Sequence, residues 1–279
     1  MDPREHRLQL GQAAAVQLTQ YLHTLSAEAW HHPSACAGWD VGDVVAHLAF
    51  GATFYASTVA RGLQGDTAPP AGAPRPGGQE REAFAAANAQ RARAYRARLG
   101  DQVLATFTGR TAHFYHLLQS LSPQEWDTPC YHPLGLRPVH EFNTMRLLEL
   151  ALHTWDIQAA LAPPAALCPD SLPVLMERLP GIVSFLRLPP EVRRLGPLRC
   201  HFTVTGAVPS QYELLMTTDQ VRLEPGGVTA ADVTCGCDTE TFVLLMSGRL
   251  TPQAAVVHGR LVVEGDRRLL TVGQWFTGV

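Results

Sequence analysis

No segment constrains this chain more than the run from Val139 to Leu161, a long apolar stretch that Pro163-Pro164 brings to an end. Proline cannot continue a helix, and the apolar spacing within the run predicts a single helix over 139–161. At about 100° per residue, Phe142, Met145, Glu149, His153, Asp156 and Ala160 share one narrow face, with Arg146 at its edge. The opposite faces carry Leu147, Leu148, Leu150, Ala151, Leu152, Trp155 and Ile157, which are apolar too. A helix apolar nearly all round lies inside a protein. Other helices must therefore surround it, and Glu149 and His153 cannot simply be its solvent side. Burying an ionised carboxylate costs several kcal/mol unless it is paired or coordinates a metal, so Glu149 requires a partner.

The surrounding helices are legible. Asp2-Pro3 is a good helix start, and apolar residues recur at helical spacing through Leu25. A loop with Pro33, Gly38 and Trp39 leads to Asp40, whose carboxylate can cap a second helix running to about Arg61, with Asp43 in its first turn. The weakly polar run from Val44 to Ala60 holds His47 and several Ser/Thr and is short for a bilayer span, so it reads as a buried core helix. Gly62 to Gly78 is rich in Gly and Pro and reads as a connection. An Ala/Arg-rich helical stretch follows, interrupted at Gly100-Asp101 before a second apolar pattern from Val103 to Leu121. Leu25-Ser-Ala-Glu-Ala-Trp30 and Leu121-Ser-Pro-Gln-Glu-Trp126 each close a helix, precede a Pro-bearing loop and lead into a buried helix. Two helix pairs related in this way make a four-helix bundle.

Past a connecting helical region from about Ser171 to Leu188 the period changes. Cys200 to Thr205, Tyr212 to Met216 and Val221 to Leu223 read as strands; Asp238 opens a helix through Met246, and Leu261 to Glu264 reads as a strand before a last helix. The C-terminal third is a small α+β domain, and 279 residues readily accommodate two domains.

Composition then excludes whole classes of function. The net charge is −3 and no basic run supplies the charge density that nucleic acid requires. All 22 basic residues are Arg, so Schiff-base, pyridoxal phosphate and P-loop chemistry, each dependent on a Lys ammonium, are ruled out. Six irregularly spaced Cys after a charged, polar start read as reduced thiols of a cytoplasmic protein, with no membrane partner and a monomeric or small homo-oligomeric state. Cys235-Gly-Cys237 lacks a second pair at zinc-site spacing and reads as two buried thiols. His31-His32, His132 and His140 lie in or near loops and read as surface or capping residues, though one near a site could shuttle protons.

Glu149 and His153 stand one helical turn apart and can converge on one ion, with His47 offering a third ligand from across the bundle. Two His and one carboxylate leave a coordination position open, the pattern of catalytic sites, and suit a divalent metal, zinc first. The residues alone leave another reading open. A Glu and a His at this spacing are often an ion pair, a core His is often a packing residue, and Arg146 and Asp156 could satisfy both without an ion. Those two could equally orient metal ligands.

Cys36-Ala-Gly-Trp-Asp-Val-Gly-Asp-Val-Val-Ala-His47-Leu resembles the characteristic segment of the mycothiol-dependent maleylpyruvate isomerase family, within the DinB-like metal-binding bundles. Arg146-Leu-Leu-Glu-Leu-Ala-Leu-His-Thr-Trp-Asp156 resembles that family's second ligand segment, and Leu244 to Leu250 with Val262 to Asp266 resemble its sterol-carrier-like second domain. The resemblance implies a DinB-like four-helix bundle over 1–165, then a connecting helix and α+β domain over 166–279. It implies His47, Glu149 and His153 as metal ligands and mycothiol or another low-molecular-weight thiol as cofactor, with Arg146 on the cofactor side. It also matches Arg249 to an Arg implicated in activity, beside a plainer role as a cation at a helix C-terminus; Asp156 is taken with it as catalytic.

The leading expectation is thus a metal- and thiol-dependent isomerase or S-transferase acting on a small electrophile. A metal-dependent hydrolase and a metal-stabilised binding protein for an apolar ligand are the competing ones.

Overall fold

The computed structural model describes residues 2–77, 81–184, 186, 188–217, 220–227, 230–271 and 275–276. The chain forms two compact units, Met1–Ala166 and Leu167–Val279.

The first unit is helical. Its helices are α1 (Pro3–His23), α2 (Val41–Leu63), α3 (Arg81–Leu99), α4 (Val103–Gln119) and α5 (Val139–Leu161). Caps set their starts: Asp2 accepts from the Arg4 N–H, and Asp40 and Asp43 form a reciprocal capping box on α2. Helices α1, α2, α4 and α5 pack as the bundle, and α3 lies against α2. The Ala/Arg stretch and the apolar pattern after it are two helices divided by a 3-10 turn at Gly100–Gln102, where Gly100 has φ +51°. Leu18, Val44, Leu48, Phe107, Phe114, Phe142, Leu150 and Ile157 fill the core with no exposed surface. No residue of α5 is exposed, as its apolar circumference requires. The two repeated Leu-Ser segments lead into 3-10 turns, Glu28–His31 and Glu125–Asp127, ahead of α2 and α5; a two-residue hairpin, β1 (Pro129–Cys130) with β2 (Arg137–Pro138), intervenes before α5.

The second unit starts with α6 (Leu172–Val183) and the short α7 (Pro190–Arg193). Strands β3 (Leu198–Thr205), β4 (Ser210–Met216), β5 (Val221–Pro225), β6 (Val233–Asp238) and β7 (Leu261–Gly265) form one sheet in the order β5-β4-β3-β6-β7. Only β3 and β6 pair in parallel among these strands. On β3, Leu198, Cys200, Phe202 and Val204 alternate inward, and α8 (Thr239–Met246) covers that face, with Phe242 5.1 Å from the rings of both Phe202 and Tyr212. Asp238 caps α8, as its position predicts. A further helix, α9 (Pro252–Val257), precedes β7. The last helix expected after Asp266 is instead a 3-10 turn, Arg267–Thr271, with 272–274 and 277–279 outside the described residues. Cys235 and Cys237 are buried in β6, and burial pushes both thiols up to about 12. Among the described residues, no helix is long and apolar enough to cross a membrane.

Candidate metal centre

Three elements of the first unit supply the polar side chains. Helix α5 contributes Arg146, Glu149, His153 and Asp156; α2 contributes His47 and Tyr55; the loop ahead of α2 contributes Cys36 and Trp39. That loop is closed on itself. Ser34 N–H donates to the Trp39 carbonyl at 2.9 Å, Val41 N–H to the His32 carbonyl at 3.0 Å, and Gly38 turns the chain at φ +77°. Arg93 and Arg96 of α3 strap it from outside, donating to the Gly38 carbonyl at 2.7 Å and to Asp40 Oδ1 at 3.1 Å. A β-carbon at position 42 would fall on the Arg96 guanidinium, so Gly42 admits that strap.

The two expected histidines face each other. Their ring centroids are 5.1 Å apart and nearly perpendicular, and the Trp39 indole lies against both, 5.2 Å from His47 and 6.4 Å from His153. His153 Nδ1 lies 2.8 Å from Asp156 Oδ2; a carboxylate oxygen accepts, so Nδ1 is the donor and Nε2 is left as the lone-pair nitrogen. Among the described residues, neither ring nitrogen of His47 has a hydrogen-bond partner; its Nε2 is 3.9 Å from Glu149 Oε1. Burial holds the His47 imidazole well below its ordinary 6.5, and the nearby charges of His153, Arg146 and Arg91 add to the effect. His47 is therefore a neutral donor at physiological pH.

Glu149 is half-buried, its side chain 22% exposed, which is less enclosed than the helix pattern predicts. The tip is nonetheless held. Tyr55 Oη donates to Oε1 at 2.9 Å, while Oε2 is buried, lacks a hydrogen bond and sits 3.6 Å from Arg146 Nη1. Burial first, then the Glu149 charge, raises the Tyr55 phenol well above 10, so it stays a donor. A β-carbon at Gly51 would come within 3.1 Å of Oε2, so the glycine lets the carboxylate lie against α2. Arg146 has no exposed surface: Nη1 donates to the Leu48 carbonyl and Nη2 to Thr111 Oγ1, each at 2.8 Å, and the guanidinium lies over Phe107. With no exposed surface, the guanidinium does not itself meet solvent.

Asp156 is 1% exposed. Cys36 Sγ approaches its Oδ2 at 3.2 Å and His153 Nδ1 at 3.7 Å. Cys36, His153 and Asp156 thereby form a group, all donor atoms within 4.8 Å of one another, that could hold a metal ion. Arg249 lies in the second unit just past α8, where Nη1 donates to the Ser247 carbonyl at 3.2 Å. His32 and His140 are at the surface or beside acids, and His132 is buried, its Nδ1 accepting from the Leu134 N–H.

Sequence reasoning passed over Cys36, Trp39, Tyr55 and Gly51 as site residues. A signal existed for two of them, since His47, Gly51 and Tyr55 recur at i, i+4, i+8 on α2. Cys36 meets α5 only through the tertiary fold.

A helical bundle with such a donor set, followed by a five-stranded α+β unit, defines the class. Residues 12–158 match the model of the mycothiol maleylpyruvate isomerase N-terminal domain, and residues 186–274 that of the SCP-2 sterol transfer family. The chain belongs to the mycothiol maleylpyruvate isomerase family. Among solved structures, mycothiol-dependent maleylpyruvate isomerase matches at a TM-score of 0.62 and 16% identity, over 89% of this chain and 90% of that one. A histidine-to-alanine mutant of mycothiol-dependent maleylpyruvate isomerase matches at 0.63 with the same identity and coverage. At that identity the likeness speaks for the fold. No curated protein matches the chain.

Proposed function

We propose that this chain is a metal-dependent enzyme that uses mycothiol or a similar low-molecular-weight thiol to isomerise, or to transfer sulfur to, a small electrophile. His47, Glu149 and His153 hold the ion, zinc by ligand type. The observation that carries the reading is a buried Glu149 Oε2 without a hydrogen bond, on a carboxylate whose Oε1 is 3.9 Å from the Nε2 of a His47 ring that has none among the described residues. Buried polar groups left unmatched are rare and call for an explanation such as an ion.

When bound, the ion lowers a thiol's pKa from about 8.5 and makes thiolate available at neutral pH. The protein's own residues do the rest. Asp156 accepts the hydrogen bond from His153 Nδ1–H and so holds the ring with Nε2 as its lone-pair nitrogen. Tyr55 and Arg146 fix the carboxylate of Glu149 from two sides. Trp39 sets an apolar ring against both imidazoles. Family membership supports the thiol: the solved relatives are named for mycothiol dependence. Arg249 is carried over by resemblance as a residue needed for activity, and its test is loss of turnover with metal content unchanged in Arg249→Ala.

The test is calorimetric titration of mycothiol into the metal-loaded wild type and into His153→Ala. Binding to the first and not the second is expected. Absence of thiol binding to the metal-loaded wild type would overturn the reading. Whether the thiol then ends up in the product separates transferase from isomerase.

A further inference from the structure

We propose that Cys36 is a positioning residue for the metal centre: its thiol donates to Asp156 and so fixes the carboxylate that holds His153. The inference rests on the ligand set proposed above. Two donors meet on one oxygen of Asp156, Cys36 Sγ at 3.2 Å and His153 Nδ1 at 2.8 Å. The main chain joins them, with Ala35 N–H donating to the Asp156 carbonyl at 3.0 Å. The sulfur is itself held in place, since the Cys36 N–H donates to Ser34 Oγ at 3.2 Å and Ser34 Oγ donates to the Trp39 carbonyl at 3.0 Å. Loop and helix are thus tied at side chain and backbone at once, across more than a hundred residues of sequence.

Asp156 is 1% exposed, so bulk water is not at hand to replace a lost donor. Without the Cys36 thiol, Oδ2 loses one of the two donors that meet on it, and its hold on the His153 ring loosens. The same three side chains could be taken as ligands themselves, but their spacing favours hydrogen bonds. An ion with bonds of about 2.0 Å to nitrogen and oxygen in tetrahedral geometry keeps those two atoms roughly 3.3 Å apart. The separation between His153 Nδ1 and Asp156 Oδ2 is 2.8 Å, an ordinary N–H···O length. Cys36 therefore acts as a neutral donor behind the site.

Wild type, Cys36→Ala and Cys36→Ser are loaded with Co(II) and titrated with a chelator, reading the absorption of the bound ion. The proton spectra of the metal-free proteins are recorded in the downfield region where a hydrogen-bonded imidazole N–H resonates. The proposal expects one ion per chain without a thiolate-to-cobalt charge-transfer band, and binding about tenfold weaker in Cys36→Ala. Cys36→Ser, whose hydroxyl can donate to the same oxygen, recovers to within about threefold. In the metal-free state the His153 N–H signal persists in wild type and Cys36→Ser and is lost in Cys36→Ala. A charge-transfer band in wild type that Cys36→Ala abolishes would make Cys36 a ligand and overturn the proposal, as would Cys36→Ala matching wild type in both affinity and N–H signal. A wild type that takes up no Co(II) counts against the ligand set, and the metal-free spectra then decide the role of Cys36 on their own.

Discussion

Glu149 is held by contacts of different kinds, and each is separable by substitution. Tyr55→Phe removes the hydroxyl from Oε1 and leaves the ring packed on Phe142 and Phe114. Metal affinity is expected to fall about tenfold, with a stability change near 1 kcal/mol; chelator competition beside urea unfolding separates the two. Gly51→Ala divides them further. The added methyl presses on Oε2 at 3.1 Å and weakens metal binding, while alanine is worth up to about 1 kcal/mol more than glycine in a helix, so the metal-free protein is expected to be no less stable. A parallel loss of stability and affinity would show that the glycine serves packing alone. His132 contributes to acid sensitivity. Burial, with Arg137 nearby, lowers it from 6.5 to about 4, so it stays neutral in the folded chain while the unfolded chain takes up a proton below about 6.5. Its contribution is complete above that pH and is lost as the pH falls toward 4, amounting to about 3 kcal/mol at the low end. His132→Asn, which keeps an acceptor for the Leu134 N–H, is expected to flatten the fall in the urea midpoint between pH 7 and 4.5.

At the scale of the element, α2 and its leading loop carry the consequence. Asp40 caps the helix and receives Arg96 from α3, so Asp40→Ala removes both and is expected to cost about 1–2 kcal/mol. Because the same loop presents Trp39 and Cys36, metal binding should weaken with it; an unchanged affinity in thermally melted and refolded Asp40→Ala would contradict the strap. The helices themselves were legible where local chemistry decides them. The ends of α5 follow from its apolar run and Pro163, and the starts of α2 and α8 from the capping acids Asp40 and Asp238. The short elements were not: α9 is six residues and β1 two, too short for periodicity to register. Nor was the Cys36 contact to Asp156, which depends on the tertiary path of a loop and leaves no trace in spacing.

Over the whole molecule, the first unit contains the proposed ligands, and the second supplies a sheet with one face covered by α8. The paired polar residues of α5 pointed to a partner from the outset, but the residues alone allowed Arg146 and Asp156 to be that partner. The geometry separates their work. Arg146 spends its Nη donors on Leu48 and Thr111 while standing 3.6 Å from Glu149, and Asp156 spends Oδ2 on His153, which leaves Glu149 Oε2 buried without a hydrogen bond and, among the described residues, the His47 ring without one. X-ray absorption at the zinc edge addresses this most directly. For the zinc-loaded protein the account predicts a coordination shell of nitrogen and oxygen alone, with imidazole scattering, and the appearance of one sulfur at about 2.3 Å once mycothiol is added. Sulfur in the shell before any thiol is added, or a shell that mycothiol leaves unchanged, would contradict it.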